Sequence, residues 1–261
     1  MRTPTSKRSL AWYVVVVFAI SLSACTPLEE DARRQRSTLV LGIDVSGSFE
    51  ASGNYDDAIE FASHYLYGHF NGLGELAVPS AVFVGSVGGE RPGETKSFQP
   101  IHAFQGKSPE EIADVLREHF PSQDGFTDFN AFFDRVSTLV KRQGLTLAPL
   151  NVVLLTDGIP DPNPTAAGGT SDEIPYAEIN LNPLEYLSRS VTVRLLYATP
   201  TVCVAWERSI QRRRVRMWTV DFNVMRGWRE QMELDASEGV GERLWEWVSD
   251  NVDFRVRSRV L

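Results

Sequence analysis

Residues 37–48 read Ser-Thr-Leu-Val-Leu-Gly-Ile-Asp-Val-Ser-Gly-Ser, and residues 151–158 read Asn-Val-Val-Leu-Leu-Thr-Asp-Gly. Both stretches are short apolar runs that end in an aspartate, which is Asp44 in the first and Asp157 in the second. Runs that are apolar at nearly every position are typical of strands buried on both faces of a parallel sheet. We therefore predict two buried strands, 37–44 and 151–157, each with an acid at its carboxyl end.

The rest of the chain alternates between strand and helix patterns. Apolar residues at helical spacing predict helices over 56–70, 108–120, 128–142 and 241–251. Further strand patterns cover 77–87, 96–104, 191–197 and 215–220. Strands and helices in series imply right-handed crossovers between parallel strands. The predicted fold is therefore α/β, with a doubly wound, mostly parallel central sheet and helices on both faces.

Composition limits the classes of function that the chain can serve. The 261 residues include 43% hydrophobic residues, which suits one large domain with a sizeable core. The formal net charge is −8, and residues 1–24 contribute three basic and no acidic residues, so the remainder is more acidic still. Nucleic-acid binding needs a basic surface that displaces counterions. This balance argues against a general nucleic-acid partner.

The N-terminus has the three-part pattern of an export signal. Basic residues (Arg2, Lys7 and Arg8) precede an apolar run over 10–22, and then comes Leu22-Ser23-Ala24-Cys25. A basic region, an apolar region of about 7–15 residues and small residues before the cleavage site make a signal peptide. An ordinary signal peptide and a signal anchor that stays in the bilayer are the alternatives. The predicted organisation is a signal peptide over 1–24, a polar tether over 25–37 and one domain over 38–261.

The tetrad that ends in Cys25 resembles the lipobox of bacterial lipoproteins. The resemblance implies that the Cys25 thiol is lipidated and becomes the new N-terminus, so that the lipid anchors the chain to a membrane. Thr26, rather than an aspartate, follows the cysteine. By the sorting rule of enteric lipoproteins, this implies a place in the bacterial cell envelope, at the outer membrane facing the periplasm.

Three segments have the residue types of a metal site. They are Asp44-Val45-Ser46-Gly47-Ser48, Asp124-Gly125-Phe126-Thr127-Asp128 and Thr156-Asp157-Gly158. Ligands of doubly wound sheets bind at the carboxyl ends of strands, so the predicted fold brings the first and third segments together. Carboxylates and hydroxyls without histidine or thiolate are hard oxygen ligands, which suit Mg²⁺, Mn²⁺ or Ca²⁺ and disfavour zinc or copper.

This set resembles the metal-ion-dependent adhesion site of von Willebrand factor A (vWA) domains. Asp44, Ser46, Ser48, Thr127 and Asp157 match that site in residue type, order and spacing, and the resemblance covers roughly residues 38–250. It implies that the three hydroxyls bind Mg²⁺ directly and that the two carboxylates contact it largely through water. It also implies a binding module rather than an enzyme, in which a Glu or Asp of a partner protein or peptide completes the coordination.

Several alternatives remain open at the level of sequence. Phe126 stands where many members have a glycine or a small residue, so Asp128 or Ser122 could replace Thr127 as a ligand. The acids could instead cap helices, and the serines could satisfy the backbone of turns. Two other functions stay open, a metal-dependent hydrolase such as a phosphatase and a structural scaffold lipoprotein with a vestigial metal site.

A long segment over 158–182 has four prolines and little periodicity. Loops longer than about 12–15 residues are uncommon and are often functional or disordered. Because this loop leaves the sheet at the same end as Asp157, we expect it to frame a binding face, with a tolerated insertion as the alternative.

Overall fold

The computed structural model describes residues 37–89, 91, 94, 97–122, 125–161, 174–238 and 242–254. The chain divides into two units, Met1–Gln35 and Arg36–Leu261, and every described residue lies in the second. The predicted lipidation site Cys25, the signal peptide and most of the tether lie outside the described residues. No helix in the described part of the chain is both long enough and apolar enough to cross a membrane.

Six strands form the central sheet. In chain order the strands of the molecule are β1 (Thr38–Ile43), β2 (Ala81–Ser86), β3 (Gly88–Gly89), β4 (Gln99–Pro100), β5 (Phe126–Thr127), β6 (Leu150–Leu155), β7 (Val191–Ala198) and β8 (Val215–Asp221). The sheet order is β4-β2-β1-β6-β7-β8, and only β4 is antiparallel to its neighbour. β3 and β5 form a separate two-stranded ribbon. The predicted doubly wound, mostly parallel sheet is therefore confirmed.

Helices cover both faces of this sheet. They are α1 (Gly47–Ala51), α2 (Tyr55–Asn71), α3 (Pro109–His119), α4 (Phe129–Arg142), α5 (Asn182–Glu185), α6 (Pro200–Ser209), α7 (Phe222–Met225), α8 (Gly227–Glu238) and α9 (Arg243–Asn251). Alternate residues of β1 enter opposite cores. Leu39 and Leu41 pack in one core with residues of α2 and α9, and Val40 packs in the other with residues of α4 and α6. β1 is thus buried on both faces, which explains its continuous apolar sequence.

The site-forming strands β1 and β6 are neighbours in the sheet. They pair in parallel from Thr38 opposite Leu150 to Ile43 opposite Leu155. The chain leaves β1 towards β2 on one side and returns to β6 on the other, so the strand order reverses between these two strands. Such a reversal opens a crevice at the carboxyl ends, where ligands of doubly wound sheets bind.

Some predicted elements are shorter than the sequence pattern indicates. The strand predicted over 96–104 is limited to Gln99–Pro100, and a 3₁₀ turn follows at Ile101–Ala103. Proline has no N–H group for a strand ladder, so pairing stops at Pro100. Helix α6 was not predicted from the sequence, although Thr199 caps this helix and Pro200 occupies its first turn.

A buried ion pair attaches the segment after α9 to the sheet. Arg194 of β7 lies 3.3 Å from Asp253, and both side chains are nearly buried. Asp253 also accepts a hydrogen bond from the Tyr65 hydroxyl at 3.2 Å. Arg194 in turn donates to the Phe254 carbonyl at 3.1 Å. A buried guanidinium without its carboxylate would lose the interaction that compensates for its desolvation.

We therefore expect Asp253→Ala to lower the free energy of unfolding by about 3 kcal/mol, because it leaves Arg194 buried and unpaired. Urea unfolding followed by circular dichroism measures this loss. Asp114→Ala is the matched control, since Asp114 pairs with Arg117 at 3.6 Å on the surface and should cost less than about 1 kcal/mol. Equal losses in the two variants would contradict the prediction.

Candidate metal centre

Asp44 is the most deeply buried member of the predicted site. It follows β1 directly and is fully inaccessible to solvent. Its Oδ1 accepts a hydrogen bond from the Ser46 backbone N–H at 2.9 Å, and its Oδ2 accepts one from the Thr156 hydroxyl. Thr156 follows β6, so the parallel pairing of β1 and β6 sets this contact. Both carboxylate oxygens are therefore held in place by groups that follow the two strands.

Ser46 and Ser48 lie at the start of α1. Ser46 is the N-cap residue, and its Oγ accepts a hydrogen bond from the Phe49 N–H at 3.4 Å. The Oγ atoms of Ser46 and Ser48 are 3.2 Å apart. Phe49 is fully buried, whereas Ser48 is exposed. The buried phenylalanine thus anchors a short helix that presents a serine hydroxyl to solvent.

Asp157 connects the third segment to the first. Its Oδ2 accepts a hydrogen bond from the Ser48 hydroxyl at 3.0 Å, and its Oδ1 accepts one from the Ile159 N–H at 2.9 Å. Gly158 has a φ of +76°, and its carbonyl accepts a hydrogen bond from the Trp206 indole at 2.7 Å. A side chain at this glycine would be strained and would approach Val202 to within 2.9 Å. The turn that aims Asp157 therefore requires glycine.

Thr127 joins the site through the ribbon of β3 and β5. Its partner in the ribbon is Gly88, where a Cβ atom would lie 1.7 Å from the Phe126 carbonyl oxygen. The Thr127 N–H donates to Asp161 Oδ2 at 2.7 Å, and the Asp161 N–H donates to the Thr127 carbonyl at 3.2 Å. The Thr127 hydroxyl then lies 3.5 Å from Asp44 Oδ1. The structure thus brings all five predicted residues together.

Two further residues hold this arrangement and were not predicted. The Thr156 hydroxyl donates to Asp44, and Asp161 clamps the backbone of Thr127. Thr156 lies in the recognised Thr-Asp-Gly stretch, so its position at a strand end was an available signal. Asp161 lies 34 residues from Thr127, and no spacing in the sequence indicates that the two residues meet.

Asp128 and Ser122, the alternatives to Thr127, have other positions in the structure. Asp128 caps α4, where its Oδ1 accepts a hydrogen bond from the Ala131 N–H at 2.9 Å. Ser122 lines a pocket together with residues of α1 and α3. Asp124 lies outside the described residues. The contact of the Thr127 hydroxyl with Asp44 Oδ1 at 3.5 Å therefore favours Thr127 as the ligand.

Burial and a neighbouring acid make both carboxylates harder to ionise. Burial raises the pKa of Asp44 from 3.8 to about 6, and the charge of Asp157 adds to this effect. Burial also raises the pKa of Asp157, with a further contribution from the charge of Asp161. None of the ion pairs in the described part of the chain involves Asp44 or Asp157. The negative charge of the site therefore lacks compensation by a basic side chain.

The donor set fits a hard divalent cation. It consists of serine and threonine hydroxyls beside two carboxylates, and oxygen ligands of this kind suit Mg²⁺, Mn²⁺ or Ca²⁺. Within the described ranges, no group of three or more His, Cys, Asp or Glu residues has a metal-binding arrangement. The predicted site contributes only two residues of these types, Asp44 and Asp157, because its other three predicted ligands are neutral hydroxyls. A cation here would supply the positive charge that the two buried acids lack.

The loop predicted over 158–182 returns to the site. Residues 162–173 lie outside the described residues, and the loop then contains a 3₁₀ turn at Tyr176–Glu178. Asn130 of α4 fastens this part, since its amide donates to the Glu178 carbonyl at 3.0 Å and its oxygen accepts from the Asn180 N–H at 2.7 Å. Burial and the charge of Asp157 raise the pKa of Tyr176. The charge of Asp157 therefore acts on Tyr176 in this loop.

Comparisons with known proteins identify similar solved structures. No protein-family model matches the chain, and no curated protein sequence is significantly similar to it. The pilus adhesin SpaC from Lactobacillus rhamnosus GG shares 24% identity over 48% of this chain, with a TM-score of 0.32. Proximal thread matrix protein 1 from the mussel byssus, with a zinc-occupied MIDAS motif, shares 14% identity over 73% of this chain, with a TM-score of 0.41.

The VWA domain of SpRpn10 is also similar to the chain. It shares 9% identity over 85% of this chain and 99% of its own length, with a TM-score of 0.43. The chain spans only 15% of SpaC and 44% of the zinc-occupied mussel protein. The solved structures similar to this chain thus include vWA domains.

The burial of Asp44 predicts a pH dependence of stability in the metal-free protein. Its folded-state pKa of about 6 lies above its ordinary value of 3.8, so the folded state gains stability as pH falls through 6. In EDTA, lowering the pH from about 7.5 to about 5.5 should raise the free energy of unfolding by about 1 kcal/mol relative to Asp44→Asn, which cannot titrate. Urea unfolding of both proteins across this range measures the difference. Parallel pH curves would contradict the assignment.

Proposed function

We propose that the chain is a vWA-like binding module that holds a divalent metal ion and captures a protein partner through an acidic side chain. The hydroxyls of Ser46, Ser48 and Thr127 and the carboxylates of Asp44 and Asp157 would hold the ion. Mg²⁺ is the proposed ion, with Mn²⁺ or Ca²⁺ as alternatives. When bound, the ion supplies a positive charge at which a Glu or Asp of the partner can bind.

The observation that carries the proposal is the convergence of three distant segments on one acidic centre. Ser48 is hydrogen-bonded to Asp157 across 109 residues, and Thr127 lies beside Asp44 across 83 residues. The two acids have raised pKa values because they are buried. Burying two carboxylates side by side without a cation is unfavourable. A bound divalent cation would remove this cost.

The difference in solvent exposure between the proposed ligands supports capture of an acid. Asp44 is fully buried, whereas Ser48 is exposed. The neutral hydroxyl therefore lies on the solvent side of the centre, and the acids lie beneath it. Hydroxyl ligands do not neutralise the charge of a cation, so an outside carboxylate remains attracted to it.

The environment of Asp44 supports binding over hydrolysis. Its two oxygens accept hydrogen bonds from Ser46 and Thr156, and no part of it reaches solvent. A nucleophilic carboxylate would need an oxygen that a substrate can reach. The five proposed ligands also include no histidine that could serve as general base. We therefore favour a binding role over the phosphatase alternative.

We further propose that a lipid on Cys25 anchors the module in the bacterial cell envelope, at the outer membrane facing the periplasm. The proposal depends on the Leu22-Ser23-Ala24-Cys25 sequence, which follows a basic and apolar export signal. An anchored module would meet partners that lie along the membrane. The partner class is a protein or peptide that offers a Glu or Asp.

Calorimetric titration of Mg²⁺ and Mn²⁺ into the metal-stripped protein tests the site. We expect saturable binding, and we expect Ser48→Ala to weaken it at least about tenfold because one hydroxyl ligand is lost. Ser52→Ala is the matched control, since the Ser52 hydroxyl donates to the Phe49 carbonyl at the other end of α1. Its metal affinity should equal that of the wild type.

Capture of an envelope protein should need the same metal. EDTA and Asp44→Ala should both abolish retention of the partner from envelope extracts. Retention that survives both treatments would exclude the metal-bridged mechanism, and equal metal affinity in Ser48→Ala and Ser52→Ala would exclude the ligand set. Turnover of generic phosphoesters above an Asp157→Ala background would favour the hydrolase alternative.

Membrane fractionation of cells that express the full chain tests the anchor. We expect Cys25→Ala to move the protein out of the membrane fraction and to stop incorporation of a radioactive fatty acid, because the thiol that carries the lipid is gone. Cys203→Ala is the matched control, since Cys203 is the other cysteine and is buried. A Cys25→Ala protein that still incorporates the fatty acid would refute the anchor.

A further inference from the structure

Three loops lie together at the amino end of the sheet, at the opposite end of the strands from the metal centre. They connect α4 to β6 (143–149), α5 to β7 (186–190) and α6 to β8 (210–214). Since β6, β7 and β8 are parallel neighbours, the loops that precede them meet at one edge of the sheet. The metal site follows the other ends of β1 and β6, so about 20 Å of strand separates it from these loops.

Hydrogen bonds of the backbone join the three loops into one surface. The Leu147 N–H donates to the Leu187 carbonyl at 2.8 Å. The N–H groups of Arg213 and Arg214 donate to the two carboxylate oxygens of Glu185, at 2.6 Å each. Glu185 is buried, and these two donors satisfy its carboxylate. The loops therefore form a continuous surface with a fixed backbone.

The charged side chains of this surface are basic. The three loops contain no Asp or Glu. In the last turn of α6, the Glu207 carboxylate accepts a hydrogen bond from the Thr219 hydroxyl at 2.9 Å. The basic residues of the loops and of the last turns of α4 and α6 are Lys141, Arg142, Arg189, Arg208, Arg212, Arg213 and Arg214.

This positive charge is not neutralised within the domain. None of these basic residues belongs to an ion pair in the part of the chain that the structure describes. Arg189, Arg213 and Arg214 are exposed. The chain as a whole has a net charge of −8, so the surface stands out as a basic region on an acidic protein. Such a region attracts an anionic partner.

Two large apolar side chains are exposed on the same surface. Leu147 is 77% exposed and Tyr186 is 76% exposed, more than any other large hydrophobic residue in the described ranges. Leu147 also has a φ of +78°, a backbone conformation that is costly for leucine. The Arg214 guanidinium lies 5.9 Å from the centre of the Tyr186 ring. Exposed apolar and aromatic side chains among basic groups are typical of surfaces that bind at a membrane interface.

The first strand of the domain begins at this edge. Thr38 is the first residue of β1, and its N–H donates to the Pro149 carbonyl at 2.8 Å, at the end of the first of the three loops. The chain that precedes β1 therefore reaches the domain beside the basic loops. Residues 25–36 span at most about 40 Å when fully extended. A lipid on Cys25 would thus hold this edge of the domain within that distance of the membrane.

We propose that the loops 143–149, 186–190 and 210–214 bind the surface of a membrane that contains anionic phospholipids. The basic side chains would contact lipid phosphates, and Leu147 and Tyr186 would enter the interface beneath them. The proposal depends on the proposed lipid anchor and adds an orientation to it. The metal centre, at the other end of the sheet, would face away from the membrane, where a partner can reach it.

Hydrogen–deuterium exchange of the full chain tests this orientation. The protein is reconstituted into vesicles of phosphatidylcholine alone, or of phosphatidylcholine with an equal amount of phosphatidylglycerol. The lipid anchor would attach it to both, but only the second surface is negatively charged. We expect the amides of the three loops to exchange at least about twofold more slowly on the anionic vesicles, and added salt to reduce this difference. Residues 45–54, beside the metal centre, should exchange equally on both.

Two matched double variants test the charges. Arg213→Gln with Arg214→Gln keeps the backbone bonds to Glu185 and should remove most of the slowing, because two cationic groups are lost. Arg117→Gln with Arg226→Gln is the control. Both of these arginines are exposed, and they lie after α1 and β8, towards the metal centre. This control should leave the slowing unchanged.

Leu147→Asn tests the apolar contribution separately. Asparagine adopts the left-handed backbone conformation more readily than leucine, so the variant should fold. It leaves the charge unchanged but removes the apolar side chain. We expect it to reduce the slowing on anionic vesicles and to leave Mg²⁺ affinity at the wild-type value.

Flotation of the vesicles separates this proposal from the anchor. Equal exchange of the loops on both kinds of vesicle, with protein bound to both, would overturn the membrane surface and leave the anchor standing. Protein that floats only with anionic vesicles, with slowed loops, would support the surface and overturn the anchor. Slowing that survives Arg213→Gln with Arg214→Gln would overturn the surface. Equal slowing by soluble poly-aspartate without vesicles would also overturn it, by assigning the loops to an acidic polypeptide.

Discussion

The site depends on the hydrogen bonds that hold the buried carboxylate of Asp44. It lies buried at the end of β1 and accepts hydrogen bonds from the backbone after it and from Thr156 at the end of β6. Thr127 approaches the same carboxylate from the ribbon. An ionised acid tolerates burial only when its oxygens have donors. The position of Asp44 therefore requires that β1, β6 and the ribbon keep their present register.

Two glycines near Asp44 help to hold the residues of the site in place. Gly158 takes a positive φ, and its carbonyl oxygen accepts a hydrogen bond from the Trp206 indole N–H, which fixes the turn that aims Asp157. Gly88 lets the ribbon approach so closely that a Cβ atom would collide with the Phe126 carbonyl. These constraints preorganise the ligands, so metal binding would not have to pay for ordering them. In the metal-free protein this arrangement is unfavourable, because it brings the negative charges of Asp44 and Asp157 together.

The surroundings of the centre suggest how a partner would be selected. The charge of Asp157 acts on Tyr176 in the loop that follows it. A metal that captures any carboxylate has little selectivity of its own. Selectivity in such a module would come from the residues beside the captured acid.

Much of the fold was predictable from local patterns. Apolar runs such as 37–44 indicated buried strands, and the helix predicted over 108–120 is present and begins with a capping box formed by Ser108 and Glu111. Local patterns failed where a single residue interrupts a run, as at Pro100. They also failed for α6, whose apolar side chains mix with polar ones.

The sequence by itself determined which residues could form a metal site, because residue type and order survive in the one-dimensional pattern. Asp44, Ser46 and Ser48 are local to one another, and a strand ending in Asp157 is recognisable on its own. The sequence left Ser122 and Asp128 open as alternatives to Thr127, and only the tertiary structure shows that Thr127 lies beside Asp44 and that Asp161 holds it there. Contacts of this kind depend on sheet register and helix packing. Both are set by the burial of apolar residues from the whole chain, so they cannot be read from one short segment.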